Sequence, residues 1–209
     1  MLGQVAAPAR RPRGIVAGFT VIEMMVVVMV AAVILALAVP SFRDFIARQR
    51  VAAVNAELVT ALQLARSEAV ARNKNVLITF RTDDLPGQPP MTCYTVHTWG
   101  STGDCDCRNP PGTACFGSDM VEIKTVQVLR ATNVTLAPSI ANPACVQFEA
   151  TRGLATWSRY CISSAAGPND FRVDVQSSIN GQLRTQVNPA GRPTVCSPDG
   201  SIRGVAACN

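Results

Sequence analysis

Histidine occurs once in this 209-residue chain, at His97, while charged residues make up only 16% of it and aromatic residues 5%. Each scarcity closes off a class of function. One imidazole gives zinc a single nitrogen ligand, and the closest pair of cysteines, Cys105-X-Cys107, lacks the two-residue spacing of a zinc knuckle, so no metal is expected. Neither a Gly-X-Ser-X-Gly elbow nor an ordered partner for His97 is visible, so no catalytic residue and no cofactor are expected. His97 alternates with Thr95 and Trp99 in a strand-like stretch and is expected to be structural. Tyr94, Trp99, Trp157 and Tyr160 do not interleave with basic residues, which argues for core or disulfide packing over a base-stacking platform.

Charge is also unevenly placed. The run from Met24 to Val39 contains no charged residue at all. As a helix, Phe19 to Val39 covers about 31 Å, enough to cross a hydrocarbon core. Glu23 stands at its edge. A carboxylate there costs several kcal/mol unless it finds a partner, so Glu23 is a functional candidate by default. An ordinary signal anchor has no need of it. A cleaved secretory signal also fits poorly, because the apolar run exceeds the usual core of about 7 to 15 residues and Ala36, Ala38 and Pro40 form a weak cleavage site. Arg10, Arg11 and Arg13 precede the run and Arg43, Arg48 and Arg50 follow it, so the positive-inside count is a draw. The whole chain has 19 basic and 14 acidic residues. Without those first three arginines the balance is +2, and any contact with a polyanion must come from a local patch.

About 170 residues remain beyond the run, a length suited to one domain. From Ser41 to about Lys74 the pattern is helical: Val51, Val54, Leu58, Ala61, Ala65 and Ala69 recur at steps of three and four, with Asn55, Glu57, Gln63, Arg66 and Arg72 between them. Ala52, Ala53, Ala56 and Ala61 suit close packing on a sheet. Pro40 is expected to kink the long helix and not to end it. Asn73, Lys74 and Asn75 mark its end. Short β-branched or alternating segments follow at Val76–Arg81, Thr92–Thr98, Val121–Leu129, Val134–Leu136, Cys145–Glu149, Tyr160–Ser163, Phe171–Val175 and Leu183–Val187, and connections this short require antiparallel pairing. Arg152-Gly153 and Asn180-Gly181 read as hairpin turns. The expected class is therefore α+β, a long N-terminal helix on antiparallel sheets.

All eight cysteines, Cys93, Cys105, Cys107, Cys115, Cys145, Cys161, Cys196 and Cys208, lie beyond the apolar run, as suits an oxidising compartment. Residues 83–90 and 100–119 read as long surface loops, the second ordered by cross-links. The tail from Asn188 reads as a loop closed by Cys196 and Cys208. Cys145 and Cys161 suit a bridge across a hairpin, and the remaining four pair among themselves in an order left open.

Gly18-Phe19-Thr20-Val21-Ile22-Glu23 before an apolar helix resembles the prepilin processing site of type IV pilins and type II secretion pseudopilins. The resemblance implies cleavage between Gly18 and Phe19 by a prepilin peptidase, which makes Glu23 the fifth mature residue and places Pro40 where these proteins carry a helix proline. It divides the chain into a leader (1–18), a membrane or filament-core helix (19–40), an amphipathic helix (41–75) and a β region (76–209). Phe42-Arg43-Asp44-Phe45, Ala61-Leu62-Gln63-Leu64-Ala65-Arg66-Ser67-Glu68-Ala69-Val70 and Asn188-Pro189-Ala190-Gly191-Arg192 resemble the FimT/GspH minor pilins and pseudopilins. That likeness implies an inner-membrane protein with a periplasmic domain, later in a pilus or pseudopilus, whose partners are other minor pilins and the major pilin. Two roles follow from it. One is structural, in starting or capping a filament. The other is DNA binding during transformation, associated in this family with Gly-Arg-X-Arg; here Gly191 and Arg192 match, but Thr194 replaces the second arginine. Arg184, Arg192 and Arg203, with Lys124 or Arg130, are the candidate phosphate contacts, set against solvated surface arginines.

Overall fold

A computed structural model of the chain describes residues 18–117, 119–159 and 170–208. The chain divides into two compact units, Met1–Pro40 and Ser41–Asn209. A single helix, α1 (Val21–Arg72), contributes to both and continues through Pro40. Alanine-rich sequence favours it past Ser41. Its end has a specific cause: Asn73 adopts the left-handed conformation at φ 49°, while Asn73 N–H donates to Val70 O and Lys74 N–H to Ala69 O. These two bonds form the Schellman pattern that satisfies the last carbonyls.

Eleven strands follow in the second unit among the described residues: β1 (Val76–Arg81), β2 (Met91–Thr98), β3 (Asp104–Cys105), β4 (Cys115–Phe116), β5 (Glu122–Leu129), β6 (Val134–Pro138), β7 (Ala144–Phe148), β8 (Ala155–Arg159), β9 (Phe171–Ser177), β10 (Gln182–Val187) and β11 (Pro193–Cys196). They form a five-stranded sheet in the order β5-β2-β1-β7-β8, a four-stranded sheet in the order β11-β10-β9-β6, and a β3-β4 pair. Every ladder is antiparallel. The expected turns sit where they are needed: Gly153 (φ 63°) joins β7 to β8, and Gly181 (φ 103°) joins β9 to β10.

One core unites helix and sheets. Val51, Leu58, Ala61, Leu62, Ala65 and Ala69 of α1 are fully buried with Phe80, Tyr94, Phe148 and Phe171. Phe171 of β9 stands 5.7 Å from Phe80 and 6.5 Å from Trp157, ring to ring, so aromatic contacts link the two larger sheets. Strand β2 is buried along its whole length. One face, with Tyr94 and Val96, joins the core. The other carries Cys93 and His97 and is covered by the cysteine loop, because Cys93 bonds to Cys107 and Gln127 Nε2 donates to the carbonyls of Cys107 and Asn109.

Several expectations are corrected. Asn55 does not lie on the solvent side of the stripe; it is buried and accepts a 2.7 Å hydrogen bond from Thr185 Oγ1. Ala53 and Ala56 are exposed and pack on no sheet. Trp99 is half exposed and not a core residue. The strand after β7 is Ala155–Arg159, and the expected segment Tyr160–Ser163 lies outside the described residues. The loop 100–119 contains the short β3-β4 pair. The tail from Asn188 is not loop alone, because Pro193–Cys196 pairs with β10.

Candidate functional site

Gly18 and Thr20 are exposed, as is Phe19, immediately before the first turn of α1. Thr20 caps that turn: its Oγ1 accepts from Glu23 N–H at 3.3 Å, and its carbonyl accepts from Met24 N–H. Thr20-X-X-Glu23 is therefore a capping-box sequence, with Glu23 near the positive end of the helix dipole. Sequence reading singled out Glu23 and missed the cap, although the spacing was visible. Every described side chain from Val21 to Val39 is exposed. An unbroken apolar surface of that length is foreign to a soluble monomer and needs lipid or other subunits around it.

The five candidate phosphate contacts do not converge. Arg184 of β10 is held by its register partner Asp174 of β9, with Nε and Nη2 donating at 2.7 and 2.9 Å to the two carboxylate oxygens. Lys124 of β5 pairs with Glu57 of α1 at 3.0 Å, and Arg130 pairs with Asp84. Arg203 lines a groove with Phe45 and Arg48, whereas Arg192 lines a different one with Arg66 and Arg152.

That second groove is the arginine cluster that sequence reading did not assemble. Gly153 and Gly191 build it. A Cβ on Gly191 (φ 71°) would lie 2.4 Å from Gly153 O, and one on Gly153 would lie 3.0 Å from Arg66 Nε, so only glycines allow the two turns to close over Arg66. Asn188 fixes the loop before Arg192: its carbonyl accepts from Gly191 N–H and its Oδ1 from Arg192 N–H. Among the described residues, none of Arg66, Arg152 and Arg192 has a carboxylate partner.

The cysteine-rich face is held by disulfides. Cys93 bonds to Cys107, Cys105 to Cys115, and Cys196 to Cys208. Cys145 is also disulfide-bonded; Cys161, its expected partner, lies outside the described residues. His97, Cys105 and Cys115 bring three donor atoms within 4.8 Å of one another, yet the two sulfurs are bonded to each other and offer no thiolates. Both nitrogens of His97 are in use, Nε2 with Thr79 Oγ1 at 2.9 Å and Nδ1 with Thr98 O at 3.1 Å. Burial holds the His97 pKa below its ordinary value, against the opposing pull of the Thr98 bond and of Asp104 and Glu122.

Residues 55–191 match the family described as type II transport protein GspH. The chain belongs to that family. Two fimbrial proteins of Pseudomonas aeruginosa are each 37% identical to it over 60 residues, 29% of this chain. The match spans only 38% of their length. No solved structure matches. Membership makes this a pilin-like or pseudopilin-like protein, and its N-terminal helix is apolar as in such proteins.

Proposed function

We propose that the chain is a minor pilin of a type IV pilus that helps to start or cap the filament. The observation that carries this reading is the exposed apolar surface of α1 with Glu23 at its first turn. In this reading a prepilin peptidase removes residues 1–18, and residues 19–40 hold the protein in the inner membrane with the rest in the periplasm. Assembly then moves that helix into the filament core among other minor pilins and the major pilin. Cleavage frees the Phe19 amine, and Glu23 compensates the corresponding amine of a neighbour, so neither charge stays bare in an apolar setting. N-terminal sequencing of the mature protein is expected to start at Phe19. Glu23→Ala is expected to fold and stay in the membrane but fail to enter filaments; normal incorporation refutes the assembly role.

Two variants of this role have support of their own. The GspH match favours a pseudopilus of type II secretion, and the fimbrial relatives favour a pilus. Deleting the gene decides between them: the pilus reading expects loss of surface filaments with secretion intact, and the pseudopilus reading the reverse. A second reading, DNA binding during uptake, is favoured by one observation, the groove of Arg66, Arg152 and Arg192 without carboxylate partners. Three guanidiniums at one groove suit phosphates.

A further inference from the structure

The second unit begins with a surface unlike the rest of it. Phe42 and Phe45 stand 63% and 53% exposed on the opening turns of α1 in this unit, and Ile179 in the β9-β10 turn is half exposed. Two grooves flank the helix here. Arg43 and Arg50 line one with Ile179; Arg48 and Arg203 line the other with Phe45. Gly181 lets the β9-β10 turn lie close, since a Cβ there would stand 3.1 Å from Arg48 Cγ.

The charge of this surface is net positive. None of the four arginines has a carboxylate partner among the described residues. Arg50 donates to a backbone carbonyl, that of Thr132, at 3.1 Å. Two carboxylates lie near by in sequence. Asp199 accepts from the hydroxyls of Ser197 and Ser201 and stays ionised, so four guanidiniums stand against two carboxylates, Asp44 and Asp199.

Chain connectivity limits what can meet this surface. Arg43 and Phe45 follow Pro40 by three and five residues, so they lie within about 11 and 18 Å of the end of the apolar run whatever the angle between the two units. The polar layer on each side of a bilayer is about 5 to 7 Å thick. Phenylalanines beside basic residues bury at the boundary between headgroups and acyl chains, and guanidiniums bind phosphate by paired hydrogen bonds. We propose that this face docks on the phosphates of anionic phospholipids in the membrane that holds residues 19–40, seating the domain on the bilayer until the subunit is taken into a filament. The proposal rests on the membrane reading of those residues.

The test uses the full chain with Phe45→Trp in lipid nanodiscs of phosphatidylcholine alone or with a third of phosphatidylglycerol, both brominated near the headgroup. Fluorescence of the unsubstituted chain supplies the background from Trp99 and Trp157. Stronger quenching in the anionic discs, lost between 0.1 and 0.5 M salt, is expected. Replacing Arg48 and Arg203 by Gln is expected to lower the docked-to-undocked ratio about fivefold for each arginine removed. Should that variant misfold, the salt titration of the Phe45→Trp chain still decides. Insertion with equal quenching in both lipids overturns docking alone. Failure to enter discs overturns the membrane reading and docking with it.

Discussion

Asn55 and Thr185 are the two polar side chains on which helix and sheet depend most directly. Both are buried, and the 2.7 Å bond between them joins α1 to β10 across 130 residues of sequence. Asn55→Ala leaves the Thr185 hydroxyl without this acceptor and is expected to cost about 1 to 3 kcal/mol. Adding Thr185→Val should recover part of that loss, and a double-mutant cycle in guanidinium measures it; strict additivity means the bond contributes nothing. His97 carries a separate prediction. Burial depresses its pKa in the folded state, so the unfolded chain takes up a proton first, near pH 6.5. The stability that neutral His97 contributes is thus fully present above that pH and is lost as pH falls toward the lower folded value, by up to about 1.4 kcal/mol per pH unit. Denaturation of the full chain in micelles between pH 7 and 5 is expected to show this slope, and His97→Gln to flatten it. A native protein with no slope in that window contradicts the account.

Among the elements, the C-terminal segment is held by β11 and by the Cys196–Cys208 bridge, whose partners are 12 residues apart. Replacing both cysteines by Ser is expected to lower stability by about 3 kcal/mol in the chain-entropy picture. A change below about 0.5 kcal/mol means that the ladder with β10 suffices. The loop 100–119 is held by carboxylates as well as by its disulfides. Backbone and hydroxyl bonds from Ser101 hold the Asp119 pKa down to about 2. Burial raises that of Asp106, but the hydrogen bonds and charge of Arg108 outweigh it and leave it low. Both groups stabilise the fold above the unfolded carboxyl pKa of about 4, and that contribution fades toward pH 2. Amide exchange in this loop is therefore expected to rise, relative to the core strands, as pH drops from 4 to 2. These elements differ in how far sequence announces them. The helix stripe and strands such as Phe171–Ser177 are legible because burial alternates at the period of the element. Strand β11 is not, since four residues beginning with proline show no period and gain strand geometry only by pairing with β10. Asn55 deceives because one tertiary partner outweighs its polarity. The order of the first four cysteines comes from the loop folding over β2, which no spacing encodes.

For the whole molecule, the two roles part on charge. Arg66, Arg152 and Arg192 come from three distant stretches and meet only because the Gly153 and Gly191 turns close together, so the motif Gly191-Arg192 alone understates the site and Thr194 does not settle it. Three phosphate contacts give a slope of log affinity on log salt near −2.7, or about a 40-fold loss between 0.05 and 0.2 M salt. So few contacts on a chain of small net charge bind duplex DNA weakly. The assembly role expects no binding above a neutral control even at 0.05 M salt. The DNA role requires measurable binding at 0.05 M, with Arg192→Ala lowering affinity for all sequences alike and making the slope shallower by about one unit. In cells the same variant separates the roles again, because Arg192 lies outside the apolar run whose burial the assembly role requires. Intact filaments and intact transformation in Arg192→Ala, with both lost in Glu23→Ala, are the expected pattern; loss of transformation alone in Arg192→Ala would move the function from the filament's architecture to its cargo.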